Sequence, residues 1–332
     1  MLWISFFLCA LVIVYSGSKL SRYGDIIAEK TGLGKSLIGV ILLASVTSLP
    51  ELVTCISAVS LNNAPDLAVG DITGSCVFNL FILAALLDAF NKPLPISARA
   101  HHGHVLAAAC GIILLSLTIF AIMFQHYNFP VMWVGSISIL SCVIYLLALS
   151  LIGAYEKKQL ENHLQELADE SKYADISLKT AGMNFAINSV MVVTAATFLP
   201  KVGVDIAAST GLGQTFVGNV FLALASTLPE LVVSIAAVRI GSVDLAIGNI
   251  FGSNIFNIFI LFVSDIFFTA GPLLSHINKA HTLPALSAII MTSISIMGLT
   301  YRADKKTLLW GWDSIAMILV FIINMGLLFW RI

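Results

Sequence analysis

The chain has 332 residues, of which 58% are hydrophobic and only 11% charged, and its mean hydropathy is +0.97. Its 17 basic and 18 acidic side chains leave a formal net charge of −1. This composition excludes a soluble globular protein and gives no basic surface for nucleic acid, so it indicates an integral membrane protein whose surroundings are a lipid bilayer.

Apolar runs along the chain are long enough to cross a membrane. A transmembrane helix needs about 20 such residues to span roughly 30 Å of hydrocarbon. We predict ten transmembrane helices, at residues 1–18, 35–61, 65–90, 103–124, 130–153, 180–200, 214–239, 242–268, 282–300 and 308–330. The first run lacks a basic leading region and a small-x-small cleavage site, so it is interpreted as a span and not as a signal peptide. The predicted fold is an all-α membrane protein.

Two stretches of the chain repeat each other. The segment ASVTSLPELVTCISAV at 44–59 matches ALASTLPELVVSIAAV at 223–238, which places Glu51 and Glu230 at equivalent positions 179 residues apart. Further on, GDITGSCVFNLFIL from Gly70 matches GNIFGSNIFNIFIL from Gly248. We therefore predict two repeats of five helices, at 1–153 and 180–332, joined by a linker at 154–179. Because five is odd, the second repeat is predicted to be inverted in the membrane.

The basic residues predict the orientation, because loops rich in Lys and Arg face the cytoplasm. With the N-terminus outside, only Lys201, Lys279 and Arg331 of the 17 basic residues fall in outer loops. We therefore expect both termini outside and the linker 154–179 in the cytoplasm.

An acidic side chain interrupts each of the two matched apolar segments. A carboxylate near the middle of a bilayer costs at least about 2.5 to 3.5 kcal/mol unless it is compensated, and neither segment carries a basic residue beside Glu51 or Glu230. Each glutamate could be protonated and hydrogen-bonded between helices. In the functional interpretation, both carboxylates meet across the pseudo-twofold axis and are neutralised by a cation that comes and goes.

The residues around the glutamates supply oxygen ligands, which hard cations such as Ca²⁺ prefer. Pro50 and Pro229 lack a backbone N–H, so each span should be broken there, leaving carbonyl groups free. Hydroxyl groups at the two breaks come from Thr47, Ser48, Ser226 and Thr227.

The helix that follows each break carries further polar candidates. Ser75 and Asn79 in the first repeat, and Ser253 and Asn257 in the second, are spaced i, i+4 and share one helix face. The asparagines could instead bind helices together. Asp71 extends the first row, where it would either place a third carboxylate near the pathway or lie at a helix beginning. Two further sets are interpreted as packing residues: Gly70, Gly74, Gly248 and Gly252, and Cys9, Cys55, Cys76, Cys110 and Cys142.

The doubled S/T-L-P-E element followed by G-[ND]-x-x-G-S-x-x-x-N resembles the alpha-repeats of the sodium/calcium exchanger family, within the cation/calcium antiporter superfamily. The resemblance implies a calcium site at Glu51 and Glu230, with backbone carbonyls near Thr47 and Ser226. It implies one sodium site at Ala44, Ser48 and Ser75, another at Ala223, Ser226 and Ser253, and Asn79 and Asn257 beside the central position. The chain length is similar to that of prokaryotic members, so we expect a plasma (inner) membrane location.

The chain also departs from the family pattern, which usually reads G-T-S-L-P-E. Val46 and Ala225 replace the glycine, the second repeat has Ser226-Thr227 for Thr-Ser, and Asp71 stands where Asn is usual. Potassium-dependent relatives typically carry Asp at the position of Asn257, so the resemblance implies transport without a potassium requirement.

We therefore expect a secondary antiporter that exchanges Ca²⁺ for Na⁺ by alternating access, with Ca²⁺ and Na⁺ as transported ions and no cofactor, nucleic-acid or protein partner. A calcium/proton antiporter with the same carboxylates is the main alternative. A membrane metalloenzyme at His101, His102 and His104 is disfavoured, because these residues lie at the polar border of a span. A passive channel is disfavoured because inverted repeats with broken helices are typical of transporters.

Overall fold

The computed structural model describes residues 2–91, 93–163, 173, 175–210 and 226–330. Its helices are α1 (Leu2–Thr31), α2 (Lys35–Thr47), α3 (Leu49–Ser60), α4 (Pro65–Phe90), α5 (Ile96–Arg99), α6 (Gly103–Met123), α7 (Ser136–His163), α8 (Leu178–Thr210), α9 (Leu228–Arg239), α10 (Val243–Phe267), α11 (Thr282–Tyr301) and α12 (Trp312–Trp330). A two-stranded antiparallel hairpin, β1 (Pro130–Val131) with β2 (Val134–Gly135), precedes α7. Single π-helical segments interrupt α2 at Ile38–Leu43 and α4 at Ile82–Leu87.

The prediction of an all-α membrane protein is confirmed. Within the described residues, eight helices are long and apolar enough to cross a membrane, or nine if the bent pair α2 and α3 counts as one span. The predicted span 214–239 lies partly outside the described residues, so the count of ten helices stays a prediction.

Several predicted span ends were wrong because hydropathy locates the apolar stretch and not the whole helix. Instead of ending at residue 18, α1 runs for 30 residues, roughly 45 Å, and α8 runs for 33 residues, roughly 50 Å, instead of ending at residue 200. Helix α1 continues through the polar residues Ser16, Ser21 and Asp25. Their side chains are fully buried inside the protein, although hydropathy marks this stretch as polar. In the same way, α7 continues to His163, inside the predicted linker.

The fifth and tenth predicted spans also began too early. The chain first makes a tight turn, in which Met132 and Leu308 have φ values of 62° and 63°. The helices α7 and α12 begin only after these equivalent turns. A turn of a few residues among apolar side chains has no hydropathy signal, so the sequence pattern missed it.

The two most buried spans, α4 and α10, form the centre of the molecule. In their most apolar stretches, 78% and 72% of the residues are buried, against 28% in α1 and 22% in α12. The lipid-facing helices therefore surround α4 and α10, which carry the predicted polar rows.

Three glycines let α2 lie directly against α10. A Cβ at Gly252 would be 2.4 Å from the Val40 carbonyl oxygen, and one at Gly248 would be 2.6 Å from the Ser36 oxygen. A Cβ at Gly39 on α2 would be 2.5 Å from the backbone of α10. The interpretation of Gly248 and Gly252 as packing positions is confirmed.

The two repeats run in opposite directions. Asp244, in the first turn of α10, accepts a backbone N–H from the connection that precedes α6 at 2.7 Å. Arg302 donates to the Ala100 carbonyl in that connection at 2.7 Å, and Lys306 pairs with Asp88 near the end of α4 at 3.1 Å. The start of α10 and the end of α4 therefore lie at the same end of the bundle, as inverted repeats require.

Equivalent contacts join the repeats at both ends. The Asp244 carboxylate contacts His104 Nε2 at 3.0 Å, and the equivalent Asp66 contacts His281 Nε2 at 2.9 Å. Within each repeat there is a further equivalent contact: Asp88 accepts the Ile96 N–H and Asp265 accepts the Leu273 N–H, each at 2.7 Å. These pairs are related by the same pseudo-twofold symmetry that relates α4 to α10.

Candidate functional site

The two glutamates lie at the bends of equivalent broken helices. Glu51 is in the first turn of α3, which bends by 42° from α2, and Glu230 is in the first turn of α9. Their exposed fractions are 1% and 0%. The predicted break is confirmed at Pro50; at Pro229, residues 211–225 before the break lie outside the described residues.

Hydroxyl groups from the opposite repeat face each glutamate. Ser48 Oγ of the first repeat donates to Glu230 Oε1 at 2.8 Å, and Ser253 Oγ, from the same repeat as Glu230, lies 3.4 Å from that oxygen. Ser226 in turn faces Glu51, and the two glutamates are close enough to repel each other electrostatically. The site is therefore built across the pseudo-twofold axis, with each repeat completing the surroundings of the other glutamate.

Four buried oxygen atoms at this site have no hydrogen-bond partner among the described residues. They are Glu51 Oε2, Glu230 Oε2, Asn79 Oδ1 and Asn257 Oδ1. Glutamates that served only to bind helices would be expected to have partners for both oxygens, because an unsatisfied buried polar atom costs about 1 to 3 kcal/mol. The four atoms form two equivalent pairs, and this arrangement suits the binding of a cation.

Asp71 lies inside the site. Because α4 begins at Pro65, Asp71 is well inside the helix, and the interpretation that it lies at a helix beginning was wrong. It is 1% exposed and accepts a hydrogen bond from Ser226 Oγ at 3.2 Å. The equivalent contact joins Thr47 Oγ1 to Asn249 Oδ1 at 3.3 Å, so the two repeats differ here by one carboxyl group.

The two candidate asparagines combine both interpretations given to them. Asn79 Nδ2 donates to Asn254 Oδ1 at 3.0 Å between α4 and α10, and Asn257 Nδ2 lies 3.7 Å from Cys76 Sγ. Each amide nitrogen thus binds the central helices together. Each amide oxygen remains available to a cation.

The remaining predicted ligands have different surroundings. Ser75 Oγ lies 3.4 Å from Ser226 Oγ, across the boundary between the repeats. The Ala44 carbonyl accepts the Ser48 N–H at 3.0 Å within its own chain segment. Thr227 is 1% exposed and precedes α9, whereas Ala223 lies outside the described residues.

The structure adds five residues that the sequence analysis did not choose as ligands. They are Asn249, Asn254, Ser234, Cys55 and Cys76. Asn249 Nδ2 donates to Ser234 Oγ at 3.0 Å, and the equivalent pair is Asp71 with Cys55, 4.0 Å apart. Aligning the repeats would have identified this pair, because Asp71 aligns with Asn249 and Cys55 with Ser234.

The histidine cluster has structural partners. His104 binds Asp244, and the His101 ring accepts the Gly103 N–H at 3.1 Å. Within the described part of the chain, no three His, Cys, Asp or Glu side chains converge closely enough to hold a metal by themselves. At the central site, hydroxyl, amide and carbonyl oxygens would therefore complete any coordination, as Ca²⁺ with its six to eight oxygen ligands requires.

Comparison with known proteins identifies similar sequences and folds. The sequence profile of the family described as "Sodium/calcium exchanger protein" matches residues 1–153 and 182–330. Inner membrane protein YrbG of Escherichia coli (strain K12) is 28% identical over 260 residues, covering 76% of this chain and 75% of YrbG. Sodium/calcium exchanger MaX1 of Methanosarcina acetivorans is 23% identical, covering 97% of both chains.

The fold is similar to that of the sodium-calcium exchanger NCX_Mj. Its structure soaked with 100 mM Na⁺ and 10 mM Sr²⁺ matches with a TM-score of 0.72 and 20% identity, covering 98% of this chain and 99% of NCX_Mj. Its structure without Na⁺ and Ca²⁺ gives a TM-score of 0.71. At this identity the match shows a shared fold.

Proposed function

The chain belongs to the sodium/calcium exchanger protein family, and on that premise we propose that it is a secondary antiporter that exchanges Ca²⁺ for Na⁺. The observation that carries the proposal is the two equivalent pairs of unsatisfied buried oxygens, at Glu51 with Glu230 and at Asn79 with Asn257. The two carboxylates can neutralise one Ca²⁺ or be shared by Na⁺ ions. Competition for the same oxygens couples the two fluxes.

Alternating access requires some helices to move past a fixed site. The two long helices α1 and α8 pack against each other through Ile13, Ala195 and Ala196. Only 28% and 33% of the residues in their most apolar stretches are buried, so they are less anchored than α4 and α10. We take α1 and α8 as the moving gate.

The relatives support a location in a prokaryotic plasma membrane, since YrbG is named as an inner membrane protein. The inner loops predicted from the basic residues meet at one end of the bundle, where Lys35 binds Asp25 at 2.7 Å and Lys306 binds Asp88. We assign this end to the cytoplasm and both termini to the outside. Reporter fusions after residues 163 and 332 test the assignment: a cytoplasmic reporter should be active at the first position and inactive at the second.

The experiment that tests the function is ⁴⁵Ca²⁺ uptake into proteoliposomes loaded with Na⁺. Uptake should require the outward Na⁺ gradient and should be lost in Glu51→Gln and in Glu230→Gln, because each removes one of the two charges that face the ion. Asp265→Asn is the matched control, since Asp265 is a buried carboxylate whose partners are the Gly135 and Leu273 N–H groups near the end of α10. Wild-type uptake in either glutamine variant would refute the proposal.

A calcium/proton antiporter is the second candidate, and the observation that favours it is the third buried carboxylate, Asp71. Such an antiporter would take up Ca²⁺ with a proton gradient alone, and Asp71→Asn would abolish that uptake if Asp71 carries the proton. Sodium-driven uptake that persists in Asp71→Asn and is absent with a proton gradient alone would favour the Na⁺ exchanger.

A further inference from the structure

A second polar site lies away from the central one, near the start of α12. We call it the α12 cluster, and it consists of Asp88, Ser97, Ser295, Lys306 and Asp313. All five side chains are nearly inaccessible: the residues Asp88, Ser97, Ser295 and Asp313 are 0% to 5% exposed, and the Lys306 side chain is 7% exposed. A buried cluster with two carboxylates and one ammonium group has one negative charge in excess.

The contacts of Asp88 account for its charge. Its two carboxylate oxygens accept the backbone N–H groups of Ile96 and Gly311, each at 2.7 Å. Lys306 Nζ lies 3.1 Å from Asp88 Oδ1. Asp88 and Lys306 therefore neutralise each other, and the excess charge belongs to Asp313.

Asp313 faces a small cavity with one unsatisfied carboxylate oxygen. Asp313 Oδ1 has no hydrogen-bond partner among the described residues, while Ser97 Oγ and the backbone N–H groups of Asp313 and Ser314 face the same carboxylate. The cavity measures about 10 Å³ and is lined by Ser97, Ser295, Asp313 and Ser314 together with apolar side chains. Its volume is at the lower limit for one water molecule, and a dehydrated Na⁺ ion is smaller than water.

Two glycines make the room that Asp313 occupies. A Cβ at Gly298 would be 2.1 Å from Asp313 Oδ2, and one at Gly311 would be 2.5 Å from Asp313 Oδ1. Any other residue at Gly298 would displace the carboxylate. Asp313 is also in the first turn of α12, where the helix dipole stabilises negative charge.

The equivalent position in the first repeat lacks this arrangement. There, Asp265 takes the place of Asp88 and accepts the N–H groups of Leu273 and Gly135 at 2.7 and 3.0 Å. Alignment of Gly135 with Gly311 places Ile137 where the second repeat has Asp313. The fold therefore forms this corner without a second carboxylate, so packing alone does not require Asp313.

We propose that Asp313, Ser97 and Ser295 hold one dehydrated monovalent cation of the Na⁺ class, at a site separate from the transport site. Oxygen ligands suit a hard cation. The single excess charge favours a monovalent ion over Ca²⁺, which is doubly charged and needs six to eight oxygens. This site would tie the start of α12 to α5 and α11, which carry Ser97 and Ser295.

The test measures thermal unfolding of the purified full-length protein in detergent, with NaCl compared with choline chloride at equal ionic strength. The Glu51→Gln/Glu230→Gln background weakens the transport site. In that background Na⁺ should still raise Tm, Asp313→Asn should abolish the rise, and Asp265→Asn, the matched control, should keep it. Ser97→Ala should move the midpoint of the Na⁺ titration to higher concentration. This variant provides the test if Asp313→Asn does not fold.

Three outcomes would overturn the proposal. The first is a Na⁺-dependent rise that survives Asp313→Asn, because the ion would then bind elsewhere. The second is no rise in the background itself, which would mean that the cavity holds water or a proton on Asp313. The third is a Na⁺ midpoint unchanged by Ser97→Ala. Because none of these readouts uses calcium transport, they are independent of the outcome of the ⁴⁵Ca²⁺ experiment.

Discussion

Substitution of Gly252 by alanine should disable transport through the contact between α2 and α10. The new Cβ would lie 2.4 Å from the Val40 carbonyl oxygen and 2.8 Å from the Ala44 Cβ, whereas ordinary contacts begin at 3.4 Å. Both contacts are with α2 itself, so α2 must move away by about 1 Å. Overpacking of this kind costs about 1 to 3 kcal/mol, and the better helix propensity of alanine returns about 1 kcal/mol.

The functional effect should exceed the loss of stability. Thr47 is the last residue of α2 and Ser48 follows it directly. Ligand distances at a cation site tolerate only about 0.2 Å. A displacement of about 1 Å costs on the order of 100-fold where groups must be positioned for reaction, and we expect a similar loss in the initial rate of ⁴⁵Ca²⁺ uptake at low calcium. Gly252→Ala should nevertheless elute as a folded protein from size-exclusion chromatography.

Gly153→Ala is the matched control, because a Cβ at Gly153 on α7 meets nothing within 4 Å. This variant should transport at the wild-type rate and unfold at an equal or slightly higher temperature. Wild-type uptake by folded Gly252→Ala would refute the reasoning, since it would mean that the position of α2 against α10 does not set the geometry of the site.

Two further predictions concern the ends of the bundle and ion choice. His104→Ala should lower the free energy of unfolding by about 1.5 to 3 kcal/mol, because the His104 side chain is 0% exposed where it contacts Asp244. His281→Ala should lower it by only about 0 to 1 kcal/mol, because the partner of His281, Asp66, is 55% exposed. Equal losses on thermal unfolding in detergent would contradict this ranking. Because Asn257 stands where potassium-dependent relatives typically carry Asp, we also expect Na⁺-driven ⁴⁵Ca²⁺ uptake to be unchanged when K⁺ is removed from both sides of the vesicle. Uptake that collapses without K⁺ and recovers when K⁺ is added would show a potassium requirement.

Several features of the candidate site could be predicted from the sequence. The repeated S/T-L-P-E element predicted a broken helix at Pro50, and the bend of 42° confirms it. The i, i+4 spacing in the sequence also predicted that Ser75 and Asn79 share one face of α4, and the structure places both at the contact between the repeats. The sequence pattern allowed two interpretations of Asp71, because it did not fix the residue at which α4 begins.

Helix ends were the least predictable feature. In α1, the helix passes through Asp25, which accepts hydrogen bonds from Ser242 and Tyr173 and pairs with Lys35. Ser242 and Tyr173 are 217 and 148 positions away in the sequence, so no local pattern reveals that Asp25 lies inside a continuous buried helix. The turns at Met132 and Leu308 were missed for a related reason, since their apolar side chains resemble the helices that follow.

The sequence alone therefore determined the membrane environment, the two inverted repeats and the pair of intramembrane glutamates, because composition, internal repetition and periodicity are properties of the chain. Only the tertiary structure decided which side chains meet. Ser48 donates to Glu230, 182 positions away, because one repeat packs against the other. Asp313 is left with an unsatisfied oxygen in a cavity that α5, α11 and α12 form together. Contacts across a pseudo-twofold axis arise from the folded arrangement of both halves, and a linear pattern records neither their distances nor their unsatisfied atoms.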